Sequence, residues 1–393
     1  MRVADFESCH PPFNAPITML DRLEKFQKLI QSGIQSVASI DISHLVFSKD
    51  DWVWLFNESK KQAIAGIVWD GIVRQIEDGI LPDDQFPPNE LDLKWQDTYG
   101  TIASANSELT WVASLLTELT DGNGHKNAVL KGLSKALLYD NPEARTPGDL
   151  DMWVENGKEY AYYLIDLFKL EGKFSYHHFH CIADLRTFKN VPLEIHFRPS
   201  SGSFNPLANR RIQAFLEAEI RDTRQIKTRY GYVNSPSPLF NMVSELVHIR
   251  RHFVGGGIGL RHMIDFYYIV KTCSPDANKE LLQHLGLYRF WLAVAFVISY
   301  YLSPYPLPFA EKPDRRMGRK LLLDILEGGN FGWYAPRHQH NVFVRMLMRE
   351  WRTIRLFRVC PSEFFWYELH FWWAVLKTIP ERIKRRKLSL RDE

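Results

Sequence analysis

Residues 146–154, TPGDLDMWV, set Asp149 and Asp151 one residue apart inside an apolar, aromatic run. Along an extended strand alternate side chains share a face, so both carboxylates project one way while Leu150 and Met152 project the other. Two such charges held ~7 Å apart repel unless a cation lies between them. Hard carboxylate oxygens suit Mg²⁺ or Mn²⁺. A second stretch, VPLEIHF at 191–197, puts Glu194 and His196 on one face and Leu193, Ile195 and Phe197 on the other. If the two strands are neighbours, Glu194 completes a three-carboxylate cluster. Upstream, VLKGLSKALLY at 129–139 turns from strand to helix at Lys131-Gly132. A glycine there lets backbone N–H groups approach a ligand, the helix N-terminus favours anions, and Lys131 adds a point charge. Arg145, four residues before Asp149, offers a forked donor to the same phosphates. Together these parts predict a metal-bound nucleoside triphosphate, such as ATP, attacked at its α-phosphate.

Two further groups carry chemistry. SYHHFHCIADL at 175–185 gathers His177, His178 and His180 beside Cys181. On a strand His178 and His180 share a face and, across a hairpin, approach Glu194 and His196, which gives either a zinc site or a polar wall to the carboxylate cluster. ELVHIRRHFVGGGIGLRHMIDF at 245–266 spaces His248 and His252 by four on one helix and Arg261 and Asp265 by four on the next. His248, His252 and Arg261 are candidate substrate contacts; the plain alternative for Arg261 and Asp265 is an intrahelical ion pair worth ~0.3–0.5 kcal/mol.

The elements that must hold these residues follow from periodicity. From about 17 to 120 apolar residues recur at helical spacing, with Gly33 and Gly122 as stops. Between 128 and 198 short bounded runs predict strands, with a helix over KEYAYYLIDLFKLEG at 158–172. After the turn-rich RPSSGSFNP at 198–206 the helical period returns and runs to the end, broken by VGGGIG and SPYPLPFAEKP. A chain of 393 residues holds two or three domains. The segments expected are 1–122 helical, 123–205 the sheet-bearing core, and 206–393 helical. A net charge of +3 on 49 basic and 46 acidic residues does not announce nucleic-acid binding. Four scattered cysteines without C-x-x-C spacing suit a reducing compartment, and the N-terminus lacks a signal-peptide pattern, so a cytoplasmic protein is expected. Phe290–Leu302 is too short an apolar run to span a bilayer and reads as a buried helix. EFFWYELHFWWAVLKTIP at 363–380, with a basic cluster behind it, reads as a last packed helix, with a membrane surface as the alternative partner.

LKGLSKALLYDNPEARTPGDLDMWV followed about forty residues later by VPLEIHF resembles the uncharacterised bacterial nucleotidyltransferase family of the DNA polymerase β-like superfamily. Tyr139, Pro142 and Arg145 fit its Y-x-x-P-x-x-R segment, Gly148, Asp149 and Asp151 its G-D-[IL]-D strand, and Glu194 and His196 its E-[IL]-H strand. The resemblance implies an α+β fold, a small mixed sheet flanked by helices, and Asp149 and Asp151 as metal ligands with Glu194 as third ligand or base. It places Lys131, Gly132, Ser134, Arg145 and Gly148 at the nucleotide. The usual glycine-serine pair of the superfamily is Lys131-Gly132 in this chain, with Ser134 two residues on. The implied reaction moves a nucleoside monophosphate to an acceptor that is a small molecule, a nucleic acid or a protein. The other classes are a non-catalytic nucleotide- or partner-binding protein and a membrane-surface protein acting through its C-terminus.

Overall fold

The chain was analysed as a computed structural model that describes residues 17–35, 40–169, 181–187, 191–305, 307, 309 and 311–389. The expected histidines 177, 178 and 180 lie outside these residues. Four helices come first: α1 (Ile17–Ile34), α2 (Lys49–Lys61), α3 (Ala65–Glu77) and the long α4 (Asn89–Gly122). The expected glycine stops hold, since α1 ends beside Gly33 and α4 at Gly122. Ser48 caps α2 by accepting from Asp51 N while the Asp51 carboxylate accepts from Ser48 N, a reciprocal capping box.

A four-stranded mixed sheet follows. Its strands are β1 (Asn127–Val129), β2 (Leu150–Val154), β3 (Cys181–Thr187) and β4 (Val191–His196), in the order β1-β2-β4-β3. β2 runs antiparallel to β1 and parallel to β4, with Asp151 directly opposite Glu194. The short helix α5 (Lys131–Ala136) links β1 towards β2, and α6 (Gly157–Leu167) follows β2. One face of the sheet is apolar: Leu150, Met152, Leu193 and Ile195 are wholly buried against Leu109, Val112 and Leu116 of α4 and Leu164 of α6. Burying each such side chain stabilises the fold by ~1.5–3 kcal/mol. That alternation forces Asp151 and Glu194 away from this layer, on the other side of the sheet.

The expectation that the chain after 206 is helical throughout its ordered elements is corrected. Behind α7 (Pro206–Glu219) comes a hairpin, β5 (Thr223–Thr228) and β6 (Gly231–Pro236). Its alternation over only six residues is too short for a helical period to reveal, and it packs on α4 and β1 through Asn234, which donates to Asp121 and to Asn127. The remaining helices are α8 (Pro238–Gly255), α9 (Leu260–Thr272), α10 (Lys279–His284), α11 (Tyr288–Val297), α12 (Arg315–Gly328), α13 (Val342–Leu356) and α14 (Pro361–Ser389). α11 and the turn Ile298–Leu302 fill the core of this helical part, as their apolar run predicts. Among the described residues no helix is long and apolar enough to cross a membrane.

Candidate active site

Asp151 and Glu194 meet across the parallel β2–β4 pair, and Asp149 stands one residue before β2 begins, at the strand's entry. Oxygens of these three carboxylates lie within 4.8 Å of one another, and all three line a cleft of about 340 Å³. Asp151 is the buried member, 1% exposed, whereas Asp149 faces the cleft opening. Lys131 Nζ donates to Asp151 Oδ1 at 2.6 Å, and the His196 ring meets the same oxygen through Nε2 at 2.7 Å. Burial works against the Asp151 charge, yet Lys131 and His196 hold its carboxyl well below the usual range. The charge on Asp151, followed by burial, pushes Asp149 up to about 6. Burial and Lys131 oppose a charge on His196, but Asp151 and Glu194 still raise it above the ordinary imidazole value.

Lys131 owes its position to its backbone. It adopts φ +42°, and Gly132 has no positive φ, so the left-handed residue at this turn is the lysine. A Cβ on Gly132 would make only ordinary van der Waals contact, 3.4 Å from Arg145 Nη1. A non-glycine residue in this region is strained, and such strain gathers where a side chain must be aimed.

Arg145 lines the cleft, but its fork is already engaged. It is buried and binds Asp265 through both edges of its fork, Nε to Oδ1 at 2.6 Å and Nη2 to Oδ2 at 2.8 Å. Tyr139 donates to the same carboxylate at 2.7 Å. The plain alternative for Arg261, an ion pair with Asp265 along α9, is not formed, and Arg145, 120 residues away in sequence, takes Asp265 instead. Arg261 is 8% exposed and lines the cleft. It donates from Nη1 to Thr146 O at 3.1 Å, and its buried Nε has no hydrogen-bond partner among the described residues. Ser134 is corrected as well: it is wholly buried, its hydroxyl donates at 3.4 Å to Asn241 of α8, and it does not line the cleft, because α5 turns it towards the helices.

His248 and His252 do line the cleft, and a third histidine, His262, joins them. Ring centroids lie 4.4 Å apart for His248–His252 and 5.4 Å for His248–His262. Phe331 closes the group at 4.9 Å from His252 and 5.1 Å from His262. The glycine run makes this possible: Gly257 at φ +136° lies so close to the loop carrying Phe331 that a Cβ would come within 2.9 Å of Gly332 Cα. Burial drives all three imidazoles down, His252 to about 4 and the others well below their usual value. They are neutral at pH 7. The sequence spacing shows His248 and His252, but His262 sits next to Arg261 with no partner at helical spacing. Lys135 and Glu245, a buried ion pair in the cleft wall, also escaped it.

A second group of three potential ligands, Cys181, Glu194 and His196, shares this corner. Burial, with Glu194 beside it, pushes the Cys181 thiol up to about 12, and His196 already engages Asp151. The three carboxylates offer the better donor set, all oxygen, as Mg²⁺ and Mn²⁺ prefer. A larger cavity of about 430 Å³ lies beside α12 and α13, but its Arg352 and Arg355 are already paired with Asp324.

No curated protein matches the chain. A solved structure, described as an antigenic nucleotidyltransferase-like protein from Paracoccidioides brasiliensis, is similar over 46% of this chain and 93% of its own, at 16% identity and a TM-score of 0.31. That likeness is too loose to carry an argument. The family model described as "Uncharacterised nucleotidyltransferase" matches residues 48–301, which include both carboxylate-bearing strands, Lys131 and the histidine helices α8 and α9. With well over half of its length so matched, the chain belongs to that family of nucleotidyltransferases.

Proposed function

We propose that this nucleotidyltransferase moves a nucleoside monophosphate from a nucleoside triphosphate to an acceptor hydroxyl, and that Asp149, Asp151 and Glu194 hold the divalent ion the reaction needs. The observation that carries the reading is the convergence of those three carboxylates on one wall of a cleft whose other walls are basic and histidine-rich. The donor set fits Mg²⁺ or Mn²⁺. Bound there, the ion would neutralise phosphate charge and align the triphosphate.

The chain's own residues divide the remaining work. Asp151 stays ionised at every physiological pH because Lys131 and His196 both favour its charge. Lys131 is already at the carboxylates and supplies the cation nearest the phosphates. Arg261, buried and with no carboxylate in ion-pair range among the described residues, is the guanidinium best placed to take a phosphate oxygen, because a buried charge is costly until paired. Arg145 acts by holding α9 against the strand entry through Asp265. Glu194, only partly buried, receives the proton of the acceptor hydroxyl as the acceptor oxygen bonds to the α-phosphorus and pyrophosphate departs.

The test is calorimetric. Wild type should bind a nucleoside triphosphate more tightly with Mg²⁺ present, and Asp149→Asn and Asp151→Asn should lose that increment while remaining folded. Unchanged affinity in both variants would reject the reading. Labelled nucleotides with fractionated extract, followed by mass spectrometry, would then identify the acceptor.

A further inference from the structure

The two C-terminal helices carry a surface that nucleotide chemistry leaves unused. α13 turns Phe343, Leu347, Trp351 and Ile354 outward, spaced so that they form one stripe, with Trp351 and Ile354 66% and 68% exposed. α14 repeats the pattern with Phe365, Leu369, Trp372, Trp373 and Leu376, of which Trp373 is 60% exposed. Contiguous apolar surface of this kind is rare on a protein that meets only water. The sequence reading expected the aromatic run of α14 to be packed; the structure buries Phe364, half-buries Trp366, Tyr367 and Phe371, and exposes Phe365, Trp372 and Trp373.

The acids of the two helices point the other way. Glu363 is buried and accepts from Ser203 Oγ and from Phe204 N at 2.9 Å. Glu368 accepts from Arg349 Nη2 through both carboxylate oxygens at 2.8 Å, and Glu350 accepts from Nη1 of the same arginine. Apart from Ser362, His370 and Thr378, the exposed positions of α13 and of α14 up to Thr378 carry apolar or basic side chains, including Arg345 and Lys377, and none carries a carboxylate. Lys377 Nζ lies 5.2 Å from the Trp373 ring centroid. Further along α14 the sequence adds Arg382, Lys384, Arg385, Arg386 and Lys387 against the single acid Glu381. Among the described residues no helix is long and apolar enough to cross a bilayer, so a membrane contact of this surface would be one lying along the interface.

We propose that the outward faces of α13 and α14 dock on an anionic lipid bilayer, with Trp and Phe at the boundary between headgroups and acyl chains and the basic residues among the headgroups. A second copy of the chain fits less well, since pairing this face with itself would set cations against cations.

Full-length protein floated with vesicles decides the matter. It should rise with vesicles of phosphatidylcholine mixed with phosphatidylserine, rise less with phosphatidylcholine alone, and be released by salt. Trp373→Glu/Leu376→Glu should abolish flotation. Arg385→Ala/Arg386→Ala should weaken it about fivefold per charge removed, roughly 25-fold for the pair. The altered residues of the first variant are exposed, so circular dichroism should match wild type; the second variant tests the basic stretch of the sequence through charge alone. The proposal is overturned if wild type floats with neither vesicle, if both variants float as wild type does, or if sedimentation shows a dimer that the first variant dissolves while wild type ignores lipid.

Discussion

Replacing Arg145 with methionine separates a residue that positions the cleft from one that touches its ligand. In the wild type both edges of the Arg145 fork engage Asp265, which is 1% exposed and also accepts from Tyr139. Arg145→Met keeps most of the buried volume but strands the Asp265 charge. Removing one partner of a buried pair costs about 3–5 kcal/mol. For a unit of this size each kcal/mol lowers the melting temperature by about 2–4 °C, so a fall of about 6–20 °C is expected. Arg145→Met/Asp265→Asn should recover much of it, because asparagine carries no charge and still accepts from Tyr139. Arg261→Met should behave differently: Asp265 loses a nearby positive charge but keeps both Arg145 bonds, and a like charge beside Arg145 disappears, so melting stays closer to wild type than in Arg145→Met while triphosphate affinity falls. Differential scanning fluorimetry and calorimetry on the four proteins give both readouts. An Arg145→Met that melts like wild type but loses nucleotide affinity would show that Arg145 contacts the phosphates and would refute the division of labour.

Three other outcomes are expected. Burial holds His252 down at about 4 in the fold against an ordinary 6.5, and His262 well below its ordinary value, so the unfolded chain binds more protons below 6.5; stability should fall as pH drops from 6.5 to 4. Melting followed over that window should show a shallower loss in His262→Asn, and parallel curves would contradict the assignment. Gly157→Ala would bring a Cβ within 2.8 Å of the His196 carbonyl oxygen, backbone that cannot yield cheaply, so it should cost about 1–3 kcal/mol in urea unfolding and weaken Mn²⁺ binding through β4. Ser134→Ala should leave nucleotide affinity unchanged, since its hydroxyl faces Asn241 inside the protein; a tenfold loss by calorimetry would return it to the cleft.

The sheet half of the site was legible because alternation over five or six residues fixes which side chains share a face, and the register that sets Asp151 opposite Glu194 follows once Leu150, Met152, Leu193 and Ile195 claim the core. The helical half was not. Arg145 and Asp265 are 120 positions apart, and their pairing depends on how α9 docks at the strand entry, which no local period encodes. His262 and Phe331 reach the cleft because Gly257 and Gly332 let two loops touch, a contact made between backbones. Ser134 was misplaced for a simpler reason: α5 is only six residues long, and which side of so short a helix faces the cleft is decided by α8. The C-terminal aromatic residues misled in turn, since helical spacing of Trp and Phe describes a stripe equally well whether it faces a core or stands outside.

The central claim is that Asp149, Asp151 and Glu194 act as one cation site. Crystals grown with Mn²⁺ and a non-hydrolysable triphosphate, with diffraction recorded at the manganese absorption edge, test it most directly. An anomalous peak within about 2.0–2.6 Å of oxygens from all three carboxylates is the predicted result. A peak elsewhere, or none with nucleotide bound and Lys131 still on Asp151, would contradict it.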